Sequence, residues 1–188
     1  MTTRSHSQPL TIENWSDFET LFGARGACGG CWCMAWRLEK AAFEAGKGSK
    51  NKSRMKAIVR RGSVPGIMLY AGDEAVGWCS VDRRRSFCRL ANSRILAPVD
   101  ATDVWSIVCF FIKKGWRRQG MSRQLIRAAV EYVRAQGGGV LEAYPVDASK
   151  NTPDPFVWVG LASAFEKEGF TEVARRSSSR PIMRYRVD

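Results

Sequence analysis

The sequence predicts an α/β domain of the mixed-sheet, α+β kind, with about seven strands and flanking helices. Three observations predict it. Residues 104–112 (VWSIVCFFI) are apolar on both faces and rich in β-branched and aromatic side chains, as a central strand must be. Residues 120–136 follow with one apolar stripe, Met121, Leu125, Ile126, Ala129, Val130 and Val133, while Arg123, Arg127 and Arg134 stay off it. Residues 66–70 and 75–81 are short apolar runs joined by Ala71-Gly72-Asp73-Glu74, the pattern of a β-hairpin.

The remaining elements follow in order. Pro9 to Glu13 reads as a first strand. Ser16-Asp17-Phe18-Glu19 has the form of a capping box, and Phe18, Leu21 and Phe22 continue at helical spacing. Glycines break the chain between Gly23 and Gly30. Cys31 to Ala45 returns to a helical pattern with Trp32, Trp36 and Phe43. Residues 46–54 (GKGSKNKSR) read as a polar basic loop. A short helix is expected from Met55 to Arg61, ended by Gly62 and Pro65. Arg83 to Val99 is irregular. After the helix of residues 120–136, stopped by three glycines, come a strand at 140–144, a helix at 156–168 and strands at 170–174 and 182–187. No repeat or linker divides the chain, so residues 1–188 read as a single domain.

Composition narrows the chemistry. Hydrophobic residues make up 45% and charged residues 26%, enough apolar matter for a core. The single histidine, His6, excludes a Ser-His-Asp triad, a Cys-His dyad and a histidine-rich metal site. Thirty basic against 18 acidic residues give a net charge of +12, which favours anionic partners. No signal-like or membrane-length apolar run is visible, so a cytoplasmic location is expected, with no membrane partner. Cys28, Cys31 and Cys33 suggest a metal or redox cluster. Without a fourth ligand in a recognisable pattern they read better as small buried thiols in a glycine-rich turn, and no metal is expected. Cys109 lacks a histidine partner and reads as core.

The turn after the central strand, Lys113 to Ser122, carries the chemistry. A strand that feeds a glycine turn at a helix N-terminus aims several backbone N–H groups at one point, where the helix dipole adds positive charge. Lys113, Lys114, Arg117, Arg118 and Arg123 surround it. A phosphate cradle and a plain turn with solvated basic residues fit this segment equally.

Arg117-Arg118-Gln119-Gly120-Met121-Ser122 resembles the R/Q-x-x-G-x-G/A signature of the Gcn5-related N-acetyltransferases. Phe165-Glu166-Lys167-Glu168-Gly169-Phe170 is similar to that family's Y-x-x-x-G-F element, and the hairpin through Val76-Gly77-Trp78 fits its second and third strands. The resemblance implies the acyl-CoA N-acyltransferase fold and acetyl-CoA as co-substrate. By the same resemblance, the amides of Gln119, Gly120, Met121 and Ser122, with Arg117 and Arg118, hold the pyrophosphate. The pantetheine arm then pairs with the strand edge at Phe110, Phe111 and Ile112, where a backbone N–H polarises the thioester carbonyl. An amine attacks directly in a ternary complex.

Departures from the pattern matter. Ser122 replaces the last Gly or Ala, Phe165 stands where a tyrosine acid is usual, and Ser106 where some members carry a glutamate base. Glu142 is the nearest acidic candidate for the base, ahead of Asp82, Tyr144 and Asp147; it reads equally as a carboxylate paired with a core-edge cation. Residues 23–65 read as an acceptor-side insertion whose CxCMxWR block resembles one in an uncharacterised bacterial branch of the family. There Trp32, Trp36 and Arg37 shape an acceptor pocket or simply pack a lid on the sheet. A small-molecule amine is the expected acceptor. Nine basic and two acidic residues between Arg37 and Arg61, and five arginines between Arg83 and Arg94, leave two alternatives: an acyltransferase that handles tRNA, or a CoA-binding sensor without turnover. Pairing of last strands into a homodimer is common in this fold.

Overall fold

The computed structural model describes residues 5–147 and 158–188. Strands β1 (Ser5–Pro9), β2 (Ile67–Ala71), β3 (Glu74–Arg83), β4 (Trp105–Ile112), β5 (Gly139–Ala143), β6 (Thr171–Arg175) and β7 (Pro181–Val187) form one sheet in the order β1-β2-β3-β4-β5-β7-β6. Among these strands only β4 and β5 pair in parallel. Helices are α1 (Trp15–Phe22), α2 (Lys40–Glu44), α3 (Ser49–Arg60), α4 (Cys88–Ala91), α5 (Met121–Ala135) and α6 (Ala162–Glu166).

Alternation along β2 divides the core. Ile67, Leu69 and Ala71 face α5, whose Leu125, Ile126, Ala129 and Val133 are buried against them. Met68 and Tyr70 face the opposite side, covered by α1, α3 and the segment from Trp32 to Met34. A third cluster gathers Phe87, Leu90, Leu96, Val108, Tyr144 and Ile182.

Two features of β4 position the site. Ser80 pairs with Cys109 but Val81 with Ile107, so Val108 is an extra residue on β4, a bulge that bends the strand. The pairing with β5 covers only Trp105 to Ile107, against Leu141 to Ala143. From Val108 to Ile112 β4 runs on without β5, and the Phe110 N–H donates instead to the Trp158 carbonyl (2.6 Å). The sheet is therefore split at its centre.

The strands after Gly66 and α5 lie within a residue or two of their expected bounds, whereas α4 (Cys88–Ala91) forms in the stretch expected to be irregular and α6 is shorter than expected. That helix begins at Ala162, and the expected helical residues 156 and 157 lie outside the described residues. Four earlier expectations are corrected. The first strand is Ser5–Pro9, ending at the proline rather than starting there; its register with β2 runs from Ser5 opposite Ala71 to Pro9 opposite Ile67. Ser16 lies inside α1 and caps nothing. Asn14 shapes the entry instead, accepting the Thr11 N–H (2.8 Å) and donating to the Pro9 carbonyl (3.0 Å). Residues 31–45 are helical only over α2, because Trp32 and Cys33 take positive φ values (45° and 57°) and turn the chain across the sheet. Residues 49–54, expected as loop, open α3. Their polar side chains are spent on tertiary bonds: buried Asn51 donates to the Phe43 carbonyl (3.2 Å), and Lys52 pairs with Glu19 (2.9 Å).

Candidate active site

Beside the split lies a cavity of about 900 Å³. Its walls are the free end of β4 (Cys109 to Ile112), the cysteine loop with Trp36, the turn before α5, and Trp158 with Gly160 and Leu161.

The turn before α5 gathers main-chain donors. A short 3₁₀ turn, Lys114 to Trp116, leads to Gly120, whose φ of 79° lets the chain swing into α5. Arg117 Nε donates back to the Ile112 carbonyl (3.0 Å), and the Gln119 amide to the Gly115 carbonyl (2.8 Å), which fixes the loop. Arg123 is the first residue of α5 whose N–H finds a carbonyl, that of Gly120 (3.1 Å). The N–H groups of Gln119, Gly120, Met121 and Ser122 have no protein acceptor among the described residues. Arg117, Arg118 and Ser122 line the cavity at this point. Two of the expected basic neighbours are engaged elsewhere: Lys113 pairs with Glu74, and Arg123 with Glu168 (2.5 Å), which also holds Arg127 (2.7 Å). Phe110, Phe111 and Ile112 line the cavity as well. Gln119, Gly120 and Met121 contribute main chain to the turn, and Met121 buries its side chain under α5.

Glu142, the candidate base, and Ser106, at the position where some members carry a glutamate, lie elsewhere. Glu142, 1% exposed, accepts at one oxygen from Tyr144 Oη (2.6 Å) and Arg84 (3.2 Å) and at the other from Arg184 Nε (2.7 Å). Ser106 Oγ joins the same network through Tyr144 Oη (2.9 Å). Burial, with the Glu142 charge beside it, raises the Tyr144 hydroxyl well above the ordinary phenol range, so Tyr144 stays a donor. Neither Glu142 nor Ser106 lines the cavity. Phe165 is buried between Phe110 (5.9 Å) and Phe170 (5.1 Å), a core aromatic.

The three expected acceptor-side residues separate. Trp36 lines the cavity, its ring 5.9 Å from that of Trp158. Trp32, 4% exposed, stacks on Phe22 (5.6 Å) and borders a second hollow of about 500 Å³ between α1 and α3. The Arg37 side chain, 5% exposed, binds Asp82 (2.8 Å) and the Pro65 carbonyl (3.0 Å) with its guanidinium over Phe87, so it clamps the loop to β3.

Sequence reasoning passed over Arg89, Arg180 and Trp158, all on the cavity wall. No local pattern marks them; chain segments far apart in sequence bring them together. Cys109 was read as core, yet it also lines the cavity, with Cys28, Cys31 and Cys33. Although burial opposes ionisation, hydrogen bonds from Cys109, Trp78 and Ser80 hold the Cys33 thiol below its ordinary range. Burial and the neighbouring Cys33 push Cys31 up to about 11. Among the described residues no group of three or more His, Cys, Asp or Glu side chains is arranged to hold a metal ion.

A split sheet beside a cradle of unspent amides is a distinctive architecture, and a sequence profile of the acetyltransferase (GNAT) family matches residues 32–154. The chain belongs to that family. Solved GNAT structures share its fold over nearly the whole length. A protein from Desulfovibrio desulfuricans assigned to the GNAT family superposes with a TM-score of 0.55 at 14% identity, covering 98% of this chain and 100% of its own. The PaiA N-acetyltransferase of Thermoplasma acidophilum, solved with coenzyme A, gives 0.52 at 16% identity, covering 97% and 99%. The NatC complex bound to a Gag peptide and CoA gives 0.53 at 8% identity, covering 98% and 99%. At these identities the likeness is one of fold. A comparison with curated proteins returns no match. No described helix of this GNAT protein is long and apolar enough to cross a membrane.

Proposed function

We propose that this GNAT protein is a cytoplasmic, single-domain enzyme that transfers an acetyl group from acetyl-CoA to an amine by direct attack in a ternary complex. The observation that carries this reading is the parting of β4 from β5 beside a turn with four unspent amides. The residues present fit the co-substrate. The N–H groups of Gln119 to Ser122, with Arg117 and Arg118, suit a pyrophosphate. Beyond Phe110, whose N–H is spent on the Trp158 carbonyl, the edge of β4 as far as Ile112 lies open to an extended amide-bearing arm without a pairing strand. Bound there, acetyl-CoA supplies an activated acyl thioester.

The chain's own contribution is positioning and exclusion of water. The aromatic walls, Phe110, Phe111, Trp36 and Trp158, enclose the acceptor next to the strand end. The N–C bond forms as the C–S bond breaks, and the proton lost by the amine leaves on the released thiol. No carboxylate among the described cavity residues takes that proton in passing. Glu142, saturated by three donors, serves the sheet.

Gly120→Val tests the reading. A β-branched residue at φ 79° costs about 1–3 kcal/mol of local strain and displaces the amides from their common focus. Acetyl-CoA affinity, measured by calorimetry, is expected to fall by about tenfold or more with the circular dichroism spectrum unchanged. Unaltered affinity removes the co-substrate from this turn.

A further inference from the structure

The cavity wall is one-sided in charge. Lys47, Arg89, Arg117, Arg118 and Arg180 line it, and no Asp or Glu does among the described residues. Arg117 and Arg118 belong to the anion cradle, and Lys47 pairs with Glu44 (2.5 Å). Arg89 and Arg180 form no ion pair among the described residues. Each is tied instead to main chain: Arg89 to the Ala35 carbonyl (3.0 Å), and Arg180 Nη2 to the Tyr144 carbonyl (2.9 Å). These bonds fix the guanidinium groups, and no described carboxylate compensates their charge.

Two buried donors on the same wall are unspent. Among the described residues Arg180 Nε and Trp36 Nε1 have no acceptor, and both residues line the cavity. A buried donor without a partner costs about 1–3 kcal/mol, so such groups call for an explanation. Arg89 lies over the Trp36 ring (5.8 Å) and its N–H binds the Trp36 carbonyl (3.2 Å), which holds the indole in place.

We propose that the acceptor is an amino carboxylate with an aromatic or apolar body. Its carboxylate is bound by Arg180 and the Trp36 indole N–H, under the field of Arg89, and its body lies among Trp36, Trp158 and the phenylalanines of β4. Charge-assisted bonds from a fixed arginine are the strong kind. The cationic wall also addresses the missing base. Positive neighbours disfavour an ammonium relative to the free amine, so the acceptor enters the reactive form without a protein carboxylate.

The inference rests on acetyl-CoA binding at the cradle, which a thermal shift with acetyl-CoA checks first; its absence removes the proposed function itself. With binding established, release of free CoA thiol is followed using matched pairs: phenylalanine and phenethylamine, tyrosine and tyramine, tryptophan and tryptamine, with an aminoalkyl phosphate alongside. The expected result is turnover of at least one amino acid with kcat/KM about tenfold or more above its decarboxylated partner. Trp36→Phe keeps the ring and removes the donor. Arg180→Lys keeps the charge and removes the buried Nε. Each is expected to raise KM for the amino acid about tenfold while leaving acetyl-CoA affinity unchanged. Equal or better turnover of the amines, preference for the phosphate, or no turnover of any amino acid by a protein that binds acetyl-CoA overturns the proposal.

Discussion

Single residues decide how the acceptor side is built. Gly26 has φ 60°, and a Cβ there would lie 2.2 Å from Trp32 Nε1. The indole is wedged between Phe22 and that glycine and cannot retreat. Gly26→Ala is therefore expected to cost about 1–3 kcal/mol in chemical denaturation, through strain and overlap together. Acetyl-CoA binding should survive, because Trp32 borders the hollow between α1 and α3 and not the main cavity. The thiols make a second residue-scale expectation. Cys28 is exposed, whereas Cys31 is raised to about 11 by burial and by Cys33. The thiolate is the nucleophile, so at neutral pH Cys31 reacts slowly although it lines the cavity. Its alkylation by iodoacetamide, mapped by mass spectrometry, should rise about tenfold per pH unit until about pH 11. A rate that is flat with pH would mean the burial argument fails.

Elements owe their positions to polar bonds as well as to packing. Glu142 on β5 gathers Arg84 from the turn after β3, Arg184 from β7 and Tyr144, which reaches Ser106 on β4. This network spans the strands that flank the split. Glu142→Gln removes the charge and leaves two arginines facing a neutral amide. Loss of one partner from a buried pair costs about 3–5 kcal/mol. The variant is expected to lose stability of that order in urea, yet to keep the wild-type pH–rate profile for whatever remains folded. A flattened alkaline or acidic limb would restore Glu142 as the base. The same elements show what could be read from the chain. The strand at 104–112 and the helix at 120–136 were legible because their own periodicity sets their burial. The opening of α3, residues 49–54, was not, because Asn51 and Lys52 are satisfied by Phe43 and Glu19, partners that no local pattern reveals. The segment from Cys31 to Leu38 misled in the opposite way: its aromatic spacing imitates a helix, but positive φ at Trp32 and Cys33 spends those side chains on the sheet. The glycine turn before α5 was legible, since a glycine between a strand and a helix is a local device. The cationic wall was not, since Arg89 and Arg180 meet only through the fold.

Charge is a property of the whole molecule, and +12 on 188 residues invites a nucleic-acid reading. Its distribution argues for a different account. Arg37, Arg84, Arg123, Arg127, Arg175 and Arg184 are all bound to carboxylates, and they hold strands and helices together. The basic side chains of α3 are partly committed too: Lys52 and Lys56 meet Glu19, over the rings of Trp32 and Trp15, and Arg54 is bonded to the Ala42 carbonyl. Arg89 and Arg180, which form no ion pair among the described residues, lie on the cavity wall, where a small anion can be enclosed. The two accounts differ in salt. A polyanion that neutralises many surface cations loses about 10³-fold or more in affinity between about 50 and 200 mM salt, because each phosphate contact releases counterions. A co-substrate held by main-chain amides and two arginines inside a walled site is screened far less. The stabilisation by acetyl-CoA, read as a shift in melting temperature at constant ligand concentration, is therefore expected to persist across that range. Transfer RNA should give at most a shift that vanishes over the same range. If tRNA binding held at moderate salt while the acetyl-CoA shift disappeared, the charge would be a polyanion surface after all, and the cavity arginines its centre.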